Sequence, residues 1–180
     1  MATVVTILPE GFEEIEAITP IDLWRRAGFE VKTASLSSST TVVGRSGIKL
    51  AADTTLAAVD SQATFDLLFL PGGPGVAHLR ESPEVIEIVG RHAIADKWLA
   101  AICAAPLVLH DAGLLAGKRY TAHPSTSGEL PQIRATENVV VDGKIITSRG
   151  AGTALAFSLR VIELLAGEKL AGEISLSICA

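Results

Sequence analysis

The chain has 180 residues, 48% of them hydrophobic and 19% charged, with a net charge of −5, a mean hydropathy of +0.41 and a pI near 5.4. That length suits one ordinary domain with a sizeable core, and the acidic balance argues against a nucleic-acid backbone or an anionic membrane as partner, since both call for a basic field. No run of 18 apolar residues could span a bilayer and no basic segment precedes a long apolar stretch near Met1, so a cytoplasmic protein acting on small molecules is expected.

In chain order, Thr3 to Leu8, Glu30 to Ala34, Asp66 to Leu70, Trp98 to Ile102 and Lys144 to Thr147 read as short β-branched or apolar strands, four of them followed by helical signals. This alternation implies βαβ units, a largely parallel sheet with helices on both faces, and binding sites at the carboxyl ends of the strands. Val42-Val43 and Ile48-Leu50 suggest a surface hairpin after the serine-rich stretch at Ser37. Val139 to Thr147 contains Asp142-Gly143, an Asp-Gly turn signal between two β-branched runs. A long apolar helix is expected over Ala154 to Ala166, stopped by Gly167, and Leu170, Ile174 and Ile178 mark one more short helix in the tail. The whole chain, residues 1–180, reads as one domain.

Four segments at the expected strand ends carry chemistry. Cys103 lies between the apolar run ending at Ile102 and a run from Ala104 to His110 that reads as a helix, with small neighbours at Ala101, Ala104 and Ala105. A sharp strand-to-helix turn exposes its central residue, and a helix start favours the thiolate, so Cys103 is read as a nucleophile with a lowered pKa; the alternative is a buried structural cysteine. Glu16 stands four residues before Pro20, which lacks an N–H, so a helix kinked or restarted at Thr19 could aim the Glu16 carboxyl inward, where burial raises its pKa. Leu70-Pro71-Gly72-Gly73-Pro74-Gly75 allows backbone N–H groups to face an oxyanion, while His78 stands where a dinucleotide-binding motif needs its third glycine. His123, followed by Pro124, either orients a loop or moves a proton. Cys103 and Cys179 have no paired spacing, and His78, His92, His110 and His123 form no zinc motif, so neither a disulfide, a metal nor a cofactor is expected.

These segments resemble the ThiJ/PfpI superfamily, most closely its parkinsonism-associated deglycase (DJ) branch. The likeness rests on Glu13-Glu14-Ile15-Glu16 with Asp22 and Arg25-Arg26-Ala27-Gly28, Leu70-Pro71-Gly72-Gly73, Ala101-Ile102-Cys103-Ala104-Ala105-Pro106, His123-Pro124 and Thr147 to Thr153. It implies a flavodoxin-like α/β sandwich, usually a homodimer, with Cys103 as the reactive cysteine, Glu16 hydrogen-bonded to it, His123 close to the sulfur, and the N–H groups of Gly73 and Ala104 as an oxyanion site beside Gly72. Two departures stand out. Gly44-Arg45-Ser46-Gly47 differs from the family's usual Ser-Arg-Gly, so Arg45 is not expected to serve the pocket or a partner subunit. Ala151 replaces the usual proline of a Gly-Pro-Gly-Thr turn, which is therefore expected to be looser.

The function so implied is a cofactor-independent glyoxalase or deglycase acting on small 2-oxoaldehydes such as methylglyoxal. A redox sensor or protective protein working through oxidation of Cys103 is the alternative. Peptidase and amidotransferase readings are disfavoured, because Ala104 stands where such peptidases place histidine and no histidine follows His123.

Overall fold

Central strands buried on both faces build the molecule. The computed structural model describes residues 1–60 and 62–180. Its strands are β1 (Thr3–Leu8), β2 (Glu30–Ser35), β3 (Thr41–Val43), β4 (Lys49–Ala51), β5 (Thr54–Thr55), β6 (Leu67–Leu70), β7 (Trp98–Ile102), β8 (Val139–Asp142) and β9 (Ile145–Ser148). Its helices are α1 (Glu14–Arg26), α2 (Val76–Glu81), α3 (Pro83–Ile94), α4 (Pro106–Asp111), α5 (Ala154–Ala166) and α6 (Glu168–Ser177). The main sheet has seven strands in the order β5-β2-β1-β6-β7-β9-β8, all parallel except the β8–β9 pair.

Because side chains alternate across a strand, Val5, Ile7, Leu68, Leu70, Leu99 and Ala101 join the core under α2, α3 and α4. Val4, Leu8, Leu67, Phe69, Ala100 and Ile102 join the core under α1, α5 and α6. The result is a flavodoxin-like three-layer sandwich, and no helix of the described residues is long and apolar enough to cross a membrane. Trp24 of α1 meets Phe69 edge-on at 5.0 Å and donates its ring N–H to Ser158 O at 3.1 Å, fixing α1 and α5 to the sheet together.

The helix expected to kink or restart at Thr19 and Pro20 does not restart: α1 runs continuously from Glu14 to Arg26 with Pro20 inside it. An interior proline costs about 3 kcal/mol, but Ala17, Ile21, Leu23 and Trp24 are buried on the sheet, and burying such side chains is worth about 1.5–3 kcal/mol each. The turn between β8 and β9 consists of Gly143 and Lys144, with Gly143 at φ +59° and Asp142 still paired with Ile145. Glycine is therefore the first turn residue, and Lys144 leads into the strand rather than opening it. Asp66 likewise stands outside β6, its backbone N–H donating to Thr3 Oγ1 and its carboxylate accepting from Thr3 N. The early hairpin forms as β3 and β4, and the tail helix buries Ile174 with Leu170 and Ile178 packed on the same core.

His92, fully buried, accepts from Phe65 N–H on Nε2 at 3.0 Å and therefore donates through Nδ1 to Ile88 O at 2.8 Å. Burial holds its pKa below 6.5. A depressed pKa favours the neutral ring, so this contribution to stability is present above about pH 6.5 and fades as pH falls. Replacing His92 by Phe strands the Phe65 N–H and should cost about 1–3 kcal/mol in denaturant titrations at pH 7.5, the gap to wild type narrowing at pH 5.5.

Candidate active site

Cys103 follows β7 directly and has φ +65°, a region costly for a residue with a Cβ. The turn is held from both sides: Cys103 N–H donates to Ser148 O at 2.9 Å and Cys103 O accepts from His123 N–H at 2.8 Å. Thus the sharp strand-to-helix turn forms as expected, while Ala104 and Ala105 lie in the turn and α4 begins only at Pro106.

Glu16 reaches this turn from the first turn of α1, not from a break at Pro20. Glu13 caps the helix, its carboxylate accepting from Glu16 N–H at 2.8 Å, and Glu16 is left 1% exposed. Its carboxyl lies against the Cys103 turn, both crowding a Cβ added at Gly72, and its pKa is raised to about 7, chiefly by burial, with the Glu13 charge adding to the rise and the Cys103 thiol pulling it down. Glu16 Oε2 is buried without a hydrogen-bond partner.

The thiol does not follow the expectation drawn from the helix start. Burial, then the neighbouring Glu16 charge and hydrogen bond, push Cys103 up to about 12, against the lowering pull of the Gly73 and Ala104 amides. A helix of six residues beginning three positions later does not offset desolvation and a carboxylate together. The two groups titrate as a pair, and an anion on sulfur is favoured when Glu16 keeps the proton.

Glycines make the close approach feasible. Gly73 has φ +99°, and a Cβ there would come within 2.6 Å of Glu13 N and Gly11 O. At Gly72 a Cβ would overlap Glu16 Oε2 and lie 2.5 Å from Cys103 Cβ. Gly72→Ala should therefore separate acid from sulfur and reduce turnover of any substrate by about 100-fold, as misplacement of reacting groups does, with circular dichroism confirming a retained fold.

His123 stands exposed at the rim. Its Nδ1 accepts from Ser125 N–H at 3.2 Å and contacts Ser125 Oγ at 2.8 Å, which leaves the Nε2–H as its free donor. A methyl group placed on Gly150 would sit 3.6 Å from Glu16 Oε1, 3.6 Å from His123 Cδ2 and 4.0 Å from Cys103 Sγ, so the three side chains surround one point. The Ala151 turn is not loose. Thr153 Oγ1 accepts from Gly150 N–H at 3.1 Å, bonds Gly150 O at 2.8 Å and pairs with Ser148 Oγ at 2.7 Å, closing it without proline.

The structure thus brings together Cys103, Glu16, His123, Gly72, Gly73 and Ala104. Arg45 is exposed, its backbone N–H donating to Phe12 O at 2.8 Å, and Cys179 is exposed on the distant tail. Ser125 escaped the sequence reading, the Ser two residues after His123 being the available signal, and Arg149 figures there only as part of the Thr147 to Thr153 segment, with no role given to it. Among the described residues no group of three or more His, Cys, Asp and Glu side chains is placed to hold a metal ion.

An α/β sandwich with a cysteine on a strained turn after a central strand, facing a buried glutamate from the first helix, defines a class of cysteine-centred flavodoxin-like proteins. Residues 2–164 match the DJ-1/PfpI family, and the chain belongs to that family. It is 39% identical over 173 residues to Protein dj-1beta of Drosophila melanogaster, covering 94% of this chain and 92% of that protein. It is 33% identical to the glutathione-independent glyoxalase DJR-1.2 of Caenorhabditis elegans, covering 99% of this chain and 96% of that one. The solved structure of oxidized Toxoplasma gondii DJ-1 superposes with a TM-score of 0.94 at 34% identity, covering 99% of this chain and 98% of that chain. Against two Arabidopsis thaliana relatives, DJ-1 homologs A and B, the chain spans only 45% and 37% of their length.

Proposed function

We propose that this chain is a cofactor-independent glyoxalase or deglycase acting on small 2-oxoaldehydes such as methylglyoxal. The observation that carries the reading is the buried Glu16 carboxyl, its Oε2 without a hydrogen-bond partner, against the Cys103 turn, with the Gly73 and Ala104 amides lowering the thiol's pKa; the naming of the C. elegans relative adds support.

In this mechanism Glu16 holds the pair's proton while the Cys103 thiolate adds to the aldehyde carbon. The resulting hemithioacetal oxygen is stabilised by the Gly73 and Ala104 N–H groups, and the His123 Nε2–H orients the neighbouring carbonyl. Glu16 gives its proton to that oxygen and, now a carboxylate, takes the hydrogen of the former aldehyde carbon and returns it to the adjacent carbon while the hydroxyl proton passes to the neighbouring oxygen, leaving a thioester that water hydrolyses to the 2-hydroxy acid and free thiol. Incubation with methylglyoxal in the absence of glutathione should give lactate, followed by NMR; failure to form it overturns the proposal.

A second reading, a redox sensor, is favoured by the oxidized state of the Toxoplasma relative. Glu16 near pKa 7 retains a proton that could bond a sulfinate oxygen. Under mild peroxide Cys103 should oxidise ahead of Cys179; the reverse order by mass spectrometry counts against it. The homodimer belongs to the same proposals, supported by Ile15 and Ile18 standing exposed on α1. Light scattering that gives only monomer removes it.

A further inference from the structure

Gly150 links the site to a neighbouring cavity. A Cβ added there would meet Cys103, Glu16 and His123, and Gly150 also lines an open cavity of about 540 Å³ together with His123, Asn138 and Arg149. A three-carbon aldehyde leaves most of such a volume empty, since cavities of this order hold far larger ligands. Arg149 is the one side chain of that lining with a permanent charge.

Of the five N–H donors of its guanidinium, one is used on the protein. Nη1 donates to Ala135 O at 2.9 Å, and among the described residues no carboxylate lies within 4.0 Å of its nitrogens, whereas nearby Arg134 pairs with Glu137. Neither acid nor second cation lines the cavity, so among the described residues Arg149 meets no counter-charge there. A planar fork of N–H groups suits a carboxylate held by two bonds.

We infer that Arg149 is a specificity-determining residue that selects substrates carrying a carboxylate on the side of the molecule away from the reacting aldehyde. The inference rests on the glyoxalase reading for its chemistry and narrows the substrate class to 2-oxoaldehydes with an anionic tail. The aldehyde carbon meets Cys103 while the tail extends past Gly150 to Arg149. His123 lies between the two ends.

The test separates this inference from the activity it builds on. Alkylation of Cys103 by iodoacetate and by iodoacetamide, read peptide by peptide with exposed Cys179 as internal reference, needs no turnover. The iodoacetate-to-iodoacetamide rate ratio at Cys103 should fall about fivefold in Arg149→Gln, a size expected for losing one nearby charge at a partly screened site. Arg149→Lys should keep most of it, and the ratio at Cys179 should not move. In turnover, the KM for 4,5-dioxopentanoate should rise about tenfold in Arg149→Gln while that for methylglyoxal changes less than twofold. Equal ratios in all three proteins, or equal KM changes for the two aldehydes, overturn the role of Arg149. If wild type turns over neither aldehyde the proposed activity fails, and the alkylation ratio still decides whether Arg149 recruits anions.

Discussion

Cys103→Ala is expected to abolish 2-oxoaldehyde turnover, with a loss of at least about 1,000-fold, because no other group in the site can form the covalent adduct on which the later steps depend. The fold should persist. The strained turn at Cys103 is held by backbone bonds to Ser148 and His123, and these do not involve the sulfur, so the thermal midpoint should move by only a few degrees, about the size of a 1 kcal/mol change. Cys179→Ser should leave the rate within about twofold, a value set by the small effects usual for surface substitutions, since that thiol is exposed on the tail. Activity lost equally in both variants would place the chemistry elsewhere.

Glu16→Gln should act in three directions at once. Turnover should drop by about 100-fold to 10,000-fold, the usual contribution of a positioned acid–base group. Alkylation of Cys103 by iodoacetamide should nevertheless become faster, because the carboxylate charge that helps hold the thiol near 12 is gone. Stability should rise at pH 8. The folded-state pKa of Glu16 is raised from 4.5 to about 7, so its protonated form is favoured on folding and that contribution is lost as pH climbs through about 7. At about 1.4 kcal/mol per pH unit the burden on the wild type reaches up to about 3 kcal/mol at pH 8, vanishing below about pH 4.5. Chemical denaturation of both proteins at pH 8 and pH 4.5 measures it. A variant that is slower, more alkylatable and more stable would mark Glu16 as a residue kept for function against stability.

The layers were legible in the sequence because the signals were local. Runs such as Thr3–Leu8 and Trp98–Ile102 are too apolar to face water on either side, so a covered parallel sheet follows. β5, with only Thr54 and Thr55, is too short to show a period. The misreadings came where distant groups decide the outcome. Pro20 looks like a helix break until Trp24, Phe69 and Phe157 are seen packed together. Ala151 looks like a loosened turn until Thr153 closes it. The thiol at Cys103 looks acidic from its own neighbourhood, whereas its pKa is governed by burial and by Glu16, which the chain delivers from another element. Residue identities marked the members of the site; their mutual electrostatics required the fold.

The most direct test of the shared proton is the rate of Cys103 alkylation by iodoacetamide between pH 5 and 11, in wild type and Glu16→Gln. Wild type should show a first rise near pH 7, where the pair loses one proton, and a second climb toward about pH 12. In Glu16→Gln the step near 7 should disappear and a single titration should remain, at lower pH than the second climb of wild type. Superimposable profiles for the two proteins would contradict the account.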